Sequence, residues 1–275
     1  MGRLVDFFRR KRDQAPKAAP AVNLAFVLLP DAMLPEAKSI IGAYTQFEPN
    51  GRLELGRDEA AHPTTHHEIL SFTSDAGEGA FVVLFPAPVP NGEADQGAQF
   101  SVGSIGTGWT LPPHSAHLVV TSTAPPGSDL LQSISRFTSL VAAVAQASGS
   151  VGVYWGNAGA THGAEFFTTI ATEQGVTPRI MLWTGVSIAR PQGKLSLLSL
   201  GMGQLSLPDL LLLAPQSSGN AALETFFDLL AYLASRGSAI PDGDTVGRTA
   251  DERLQVRYVS SPLDANKKVW RVELP

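Results

Sequence analysis

The chain has 275 residues, which is typical of one large or two small domains and enough to bury a hydrophobic core without disulfides. It contains no cysteine, so disulfides, thiolate metal sites and a cysteine nucleophile are excluded. Six basic and two acidic residues give residues 1–20 a net charge of +4, whereas the whole chain carries −5. The remaining 255 residues therefore carry −9, which argues against a nucleic-acid surface on the body.

The N-terminal segment, residues 1–20, is predicted to be a basic flexible tail. It contains the run Arg9-Arg10-Lys11-Arg12 and ends in a linker-like stretch with Pro16 and Pro20. Two interpretations stay open: a solubilising tail, or a short amphipathic helix that makes weak contact with an anionic membrane surface or a partner. No apolar run of signal-peptide or membrane-span length follows, so we expect a cytoplasmic protein.

The hydrophobic pattern of residues 21–155 predicts five strands and two helices. Residues 86–116 are rich in Pro, Gly and polar residues and are predicted to form a long loop. The predicted helices are Leu34–Phe47 and Leu130–Ala147, the second of which can be capped by Ser128 or Asp129. The predicted strands are Val22–Leu29, Ile69–Ser74, Ala80–Phe85, Leu118–Ser122 and Val151–Trp155.

Residues 156–275 are predicted to contain two further helices and five further strands. A small-residue loop over Asn157–Gly163 precedes the helix Ala164–Glu173, and the second helix, Leu223–Arg236, ends at a glycine. The predicted strands are Ile180–Ile188, Leu195–Leu200, Leu210–Ala214, Leu254–Ser260 and Lys268–Leu274.

This order of elements predicts an α+β fold. Hairpins dominate and helices interrupt pairs of strands, so a mostly antiparallel sheet with helices packed on it is favoured over a doubly wound parallel sheet. The units resemble split βαβ (ferredoxin-like) pieces. We therefore expect two closely packed α+β halves, residues 21–155 and 156–275, behind the tail of residues 1–20.

The sequence shows no metal, cofactor or catalytic motif. His62, His66 and His67 precede Glu68, but Pro63 spoils a helical spacing, and His114 and His117 flank the start of a strand; ordinary loop histidines explain both groups. The glycines of residues 103–108 and 201–203 lack the strand–GxGxxG–helix context of a phosphate loop. No GxSxG or HExxH motif occurs. We therefore predict no bound metal or cofactor and assign no catalytic residue.

Three segments of the second half are distinctive together: Met181–Ile188, Leu198–Asp209 and Asp242–Gly247. With Trp109, His117–Val120 and Val153–Trp155 upstream, they resemble the bacterial domain-of-unknown-function 4261 family, best over about residues 180–272. The resemblance implies an α+β fold and a bacterial origin. It implies no activity, cofactor or catalytic residue.

Two functional classes stay open on the sequence alone. The small number of charged residues, the acidic body and the missing catalytic motifs favour a non-catalytic binding or protein-interaction protein, adaptor-like or immunity-like, whose partner is another protein and not a nucleic acid. The alternative is an enzyme or small-ligand-binding protein whose site is assembled from distant loops. An exposed apolar patch would favour the first class, and a deep polar-lined pocket would favour the second.

We predict that any functional site lies where Trp155–His162, Gly201–Asp209 and Asp242–Arg248 meet. Each segment flanks an apolar strand or helix and combines glycine with polar side chains, so a rigid scaffold would hold it. The competing interpretation is three separate turns, in which Asp242 and Asp244 make Asx-type hydrogen bonds instead of binding a ligand or cation. The candidate ligand-binding or partner-binding residues are Trp155, His162, Asp209, Asp244 and Thr245.

Overall fold

The computed structural model describes residues 22–56, 69–247 and 252–275. The tail of residues 1–20, the histidines His62, His66 and His67 with Glu68, and Arg248 therefore lie outside the described residues. No helix in the described ranges is long and apolar enough to cross a membrane.

Seven strands form the larger sheet. They are β1 Val22–Leu29, β2 Leu53–Leu55, β3 Ile69–Ser74, β4 Gly79–Phe85, β5 Ala116–Thr123, β6 Gly152–Trp155 and β7 Ala160–Gly163. Their spatial order is β2-β3-β4-β5-β1-β6-β7, and every neighbouring pair is antiparallel.

Five strands form the smaller sheet, and two more form a short ribbon. The sheet strands are β8 Gly185–Ala189, β9 Lys194–Leu200, β10 Leu210–Pro215, β13 Arg257–Ser260 and β14 Lys268–Glu273; the ribbon strands are β11 Thr245–Val246 and β12 Leu254–Gln255. The sheet order is β13-β14-β10-β9-β8, and only the β10–β14 pair is parallel.

Six α-helices are described, and the longest two follow a strand of each sheet. They are α1 Ala37–Phe47, α2 Glu93–Gly97, α3 Leu130–Ser148, α4 Ala164–Thr172, α5 Val176–Trp183 and α6 Gly219–Arg236. The α+β class, with antiparallel pairing dominant and helices packed on the sheets, is confirmed.

The β5–α3–β6 segment is a split βαβ unit. β5 and β6 are both antiparallel to β1, which lies between them, so they run parallel to each other and α3 crosses over β1. The connection places α3 against the inner face of the larger sheet. There Phe137 of α3 contacts the Trp155 ring edge-on at 5.2 Å.

One continuous hydrophobic core joins the two sheets. It includes Trp155 of the larger sheet, Trp183 of α5 and Trp270 of the smaller sheet, each no more than 1% exposed. The larger sheet extends to Gly163 and the smaller sheet begins at Gly185, so the change of sheet comes later in the chain than residue 155. The division into two halves at that residue stays a prediction about folding units.

Residues 160–163 form a strand, although the sequence predicted a loop. Ala158 and Gly159 donate their N–H groups to the Trp155 carbonyl oxygen, and Gly159 has φ +61°, so a tight turn closes the β6–β7 hairpin. The small residues that indicated a loop form this turn and the start of β7. Residues 160–163 form a strand because they pair with β6, and such pairing cannot be predicted from the local sequence pattern alone.

The predicted strand Ile180–Ile188 is wrong over its first half, because Ile180–Trp183 belong to helix α5. An apolar run of this length fits a buried strand or a buried helix equally well. Pro178 lies in the first turn of α5, where a helix tolerates a residue without an N–H group. Only Gly185–Ala189 pair as a strand, with β9.

Residues 86–116, predicted as a long loop, contain helix α2 and short 3₁₀ turns. This segment covers one end of the outer face of the larger sheet. Val89, Ala94 and Leu111 pack there against Leu28 and Tyr154 in a second apolar cluster. This cluster does not cover the rest of the outer face.

Candidate functional site

Two of the three predicted segments meet at Gln204. The indole Nε1 of Trp155 donates a hydrogen bond of 2.9 Å to Gln204 Oε1. In return, Gln204 Nε2 donates to the carbonyl oxygens of Trp183, at 2.7 Å, and Gly201, at 2.8 Å. The Trp155–His162 and Gly201–Asp209 segments are therefore adjacent, and both N–H groups of the Gln204 amide are hydrogen-bonded there.

Gly201 allows this close approach. Its φ of +111° lies in a region that side chains rarely adopt, and a Cβ at this position would lie 2.8 Å from the Ala158 Cβ. Glycine is required here for both backbone and packing reasons. Gly201 thus serves a tight contact with Ala158, in the turn of the β6–β7 hairpin.

Asp209 stabilises the turn between β9 and β10. Its Oδ1 accepts hydrogen bonds from Ser199 Oγ at 3.0 Å and from the Met202 N–H at 3.1 Å. Burial raises the pKa of Asp209, and the hydrogen bonds from Met202 and Ser199 oppose that change. The carboxylate is therefore partly desolvated, and one of its oxygens is committed to the turn.

A polar cleft of about 580 Å³ opens beside these residues, between the start of β1 and the turn after β9. We call it the inter-sheet cleft. Asn23, Asn157 and Ser206 contribute polar groups to its lining, and Ser206 has φ +58°, an unusual backbone conformation for a serine. Asp209 and Lys267 are the charged side chains among its described lining residues. This cleft suits a small polar ligand with groups of both signs.

His162 does not line the inter-sheet cleft, because it faces the core from β7. Its Nδ1 lies 2.8 Å from Ser101 Oγ, and its ring packs against Phe166 and Phe167. Burial lowers the pKa of His162 to about 4; the backbone of Leu182 opposes that change, although Nε2 has no partner at hydrogen-bond distance and angle. The ring is therefore neutral near pH 7.

Thr245 begins strand β11 and Asp244 directly precedes it, and neither is among the described residues that line the inter-sheet cleft. Asp244 stabilises the local turn through its backbone. Its N–H donates to the Pro241 carbonyl at 3.2 Å, and its carbonyl accepts from the Val256 N–H at 2.8 Å. Asp242 Oδ1 accepts from the Tyr258 N–H at 2.8 Å. These bonds describe a turn that joins the ribbon to β13.

The described residues contain no group of three His, Asp or Glu side chains placed to hold a metal ion. His117 Nδ1 lies 2.7 Å from the Ala87 carbonyl oxygen, and burial is the main cause of its lowered pKa. The absence of a metal site in the whole chain stays a prediction, since His62, His66 and His67 lie outside the described residues.

The outer face of the larger sheet carries an apolar surface that the sequence analysis missed. Register places Ile69, Val83, Val119 and Phe26 in one row across four strands, all pointing away from the core. We call the part beyond the covered end the open sheet face; it consists of Leu24, Ile69, Phe81, Val83, Phe85 and Val119, and Phe26 lies at its boundary, packed against the covering cluster.

Three large side chains on the open sheet face are half exposed: Ile69 at 50%, Phe81 at 49% and Phe85 at 45%. The Phe85 ring stacks on His117 at 5.3 Å, so the aromatic surface is ordered by its neighbours. Among the described outward-facing positions of these strands, only Glu54, at the β2 edge, carries a charge at neutral pH. The signal in the sequence was β4, where Ala80–Phe85 is apolar without the alternation of a strand with one wet face.

These features define an α+β domain with two sheets around one core, a polar cleft between the sheets and an uncovered apolar sheet face. Residues 198–273 match the family model described as Domain of unknown function (DUF4261), which confirms the resemblance inferred from the sequence. The matched segment runs through β9–β14 and contains Gly201, Gln204 and Asp209. No curated protein and no solved structure matches the chain.

Proposed function

We propose that this chain is a non-catalytic protein-interaction protein that binds another protein through the open sheet face. The observation that carries the proposal is the half-exposed trio Ile69, Phe81 and Phe85 on one face with almost no charge. Contiguous apolar surface of this kind is costly in water and marks interaction sites in soluble proteins. Aromatic side chains are also the residues that contribute most to binding energy at interfaces.

The size of the face supports a transient complex. Four strands spaced about 4.8 Å apart, each about seven residues of about 3.4 Å long, give an outer face on the order of 400 Å², and the open sheet face is the part of it that stays uncovered. A stable complex buries about 800 Å² per partner. The open sheet face therefore supplies the apolar centre of an interface whose rim must come from surrounding polar residues.

Charge indicates the chemistry of the partner. Residues 21–275 carry −9, so two copies of the body repel each other, whereas a partner with basic groups around an apolar strip is attracted. We therefore propose a different protein, and not a second copy, as the occupant.

Site-specific photo-cross-linking in the native host tests this function. A benzoylphenylalanine replacing Phe81 should give a discrete adduct with a second protein, and the same group replacing Tyr232 should not. Tyr232 is a matched control because it is 46% exposed on helix α6, away from the larger sheet. Phe85→Asp should then weaken binding of the purified partner at least about tenfold, while Tyr232→Asp leaves it unchanged.

The outcomes separate the alternatives. An adduct of twice the chain's mass would show that the partner is a second copy of this chain and not a different protein. The absence of an adduct at position 81, or equal adducts at both positions, would contradict the proposal.

A second candidate is binding of a small polar ligand in the inter-sheet cleft. It is favoured by the convergence there of Asn157, Asp209 and Lys267, from segments far apart in the chain. Ligand-observed NMR against a panel of free amino acids tests it. Lys267→Ala should abolish any saturable binding, whereas Lys268→Ala, an exposed neighbour, should not.

A further inference from the structure

A second cleft, of about 590 Å³, lies where β7, the edge strand of the larger sheet, leads into helix α4, and it is separate from both the inter-sheet cleft and the open sheet face. Three segments enclose it: the loop around Gly103–Trp109, the connection at Ser150 and the first turn of helix α4. We call it the α4 cleft. Its volume lies within the range of about 300–1,000 Å³ that is typical of small-molecule sites.

Two glycines fix the aromatic walls of the α4 cleft. A Cβ at Gly163 would lie 3.1 Å from Trp109 Nε1, and a Cβ at Gly103 would lie 3.0 Å from the Phe166 ring. Each ring therefore rests directly on backbone. The Trp109 indole is partly buried, is held against Gly163 and lines the cleft.

The polar groups of the cleft are hydroxyls and one carboxylate. Ser150 Oγ is buried there without a hydrogen-bond partner among the described residues. A ligand that hydrogen-bonds to this hydroxyl would offset the free-energy cost of burying it unpaired. Glu165 is the charged side chain among the described lining residues. It lies in the first turn of α4, where its charge offsets the positive end of the helix dipole.

We propose that the α4 cleft binds an organic cation, an ammonium or guanidinium group held between the Trp109 indole face and the Glu165 carboxylate. An aromatic face attracts a cation through its quadrupole, most strongly when the ring is tryptophan. No cationic side chain of the described residues lines the cleft to compete. His162, which packs behind Phe166, is neutral near pH 7, and the negative body draws cations towards the surface.

Trp109 makes this site measurable in the full chain. The other three tryptophans, Trp155, Trp183 and Trp270, are no more than 1% exposed, so a change in the accessible tryptophan emission reports on Trp109. Choline is the probe, and its neutral isostere 3,3-dimethylbutan-1-ol is the control. Choline should change the emission saturably, and the isostere should not.

Variants assign the binding to the two named groups. By ligand-observed NMR of the choline methyl signal, Glu165→Gln should weaken binding about fivefold and Trp109→Leu should abolish it, while circular dichroism confirms that both fold. Glu173→Gln, an exposed glutamate just after the same helix, should bind choline normally. Each readout is independent of the open sheet face.

Three results would overturn the proposal. Equal binding of the neutral isostere would show an apolar pocket only. Sulfate binding that strengthens in Glu165→Gln would show an anion site at the helix terminus. A linear, non-saturable choline response in the folded protein would show that no site exists.

Discussion

Arg179 is fully buried and hydrogen-bonds to no carboxylate among the described residues. Its guanidinium donates instead to the carbonyl oxygens of Phe47, Ala171 and Glu173 and to the carbonyl and hydroxyl of Ser135. Phe47 ends α1, and Ala171 and Glu173 lie at the end of α4, so the charge sits at the negative ends of two helix dipoles. These acceptors offset the desolvation that lowers the Arg179 pKa.

We expect Arg179→Lys to destabilise the protein by about 3 kcal/mol, because a lysine cannot reach five acceptors with its three donors and leaves buried carbonyls unpaired. The free energy of unfolding from urea titration checks this. Arg236→Lys, at the exposed C-terminus of α6, is the matched control and should change stability by less than about 0.5 kcal/mol. A loss below about 1 kcal/mol at Arg179 would contradict the structural role.

His162 makes stability depend on pH. Its pKa is lowered from 6.5 to about 4 in the folded state, so the unfolded chain binds more protons between these values and stability falls as pH falls. The full effect corresponds to about 3 kcal/mol lost between pH 7 and pH 4. We expect His162→Gln to be less stable at pH 7 but to lose that much less stability on acidification, as measured by urea titration across this range. Parallel pH curves for the two proteins would refute it.

Some residues of the site could be identified from the sequence, and others could not. Trp155 and Asp209 could be singled out from their positions beside apolar strands, and both do lie at the meeting point of two segments. Arg179 and Gln204 could not, since nothing local distinguishes a buried arginine or glutamine from an exposed one. Their roles depend on carbonyl groups, such as those of Phe47 and Trp183, that come together only when the chain folds.

Helix α3 is the element that the sequence predicted most closely. Asp129 was one of two candidate caps, and its Oδ1 accepts from the N–H groups of Leu131 at 2.9 Å and Gln132 at 3.3 Å. We expect Asp129→Ala to cost about 1 kcal/mol of stability by thermal or urea unfolding. Ser128→Ala should cost less, because the Ser128 hydroxyl donates to the Pro125 carbonyl instead of capping the helix. Equal losses would contradict the assignment of the cap.

The elements that the sequence predicted wrongly share one physical cause. Capping groups, turn residues and the spacing of apolar residues are local features of the sequence. They predicted α3, α4 and the hairpin of β13 and β14 near their observed bounds. The identity of β7 and of α5 was decided by neighbours instead: by pairing with β6 in one case and by packing against α6 in the other. Tertiary contacts override weak local preferences in such short segments.

At the scale of the whole molecule, the two sheets share one core and are joined at Gln204. The core contains residues of both sheets without a break, and the Gln204 amide connects Trp155 of the larger sheet to the turn that follows β9. The open sheet face lies on the far side of the larger sheet from this core, and the α4 cleft lies beside the edge strand β7. The same scaffold can therefore carry interaction surfaces without exposing the contact between the sheets.

This arrangement predicts one cooperative unfolding transition for the full chain. Tryptophan emission reports on the shared core and far-ultraviolet circular dichroism reports on all the helices, so their urea curves should coincide. Gln204→Ala should lower the free energy of unfolding by about 2 kcal/mol, because it leaves the Trp155 indole N–H and the Trp183 carbonyl unpaired, yet it should keep the two curves together. Gln216→Ala, an exposed glutamine before α6, is the matched control and should leave the midpoint unchanged. Two separated transitions in the wild-type protein would mean that each sheet folds around a core of its own, and the contact at Gln204 would then be an interface between independent units.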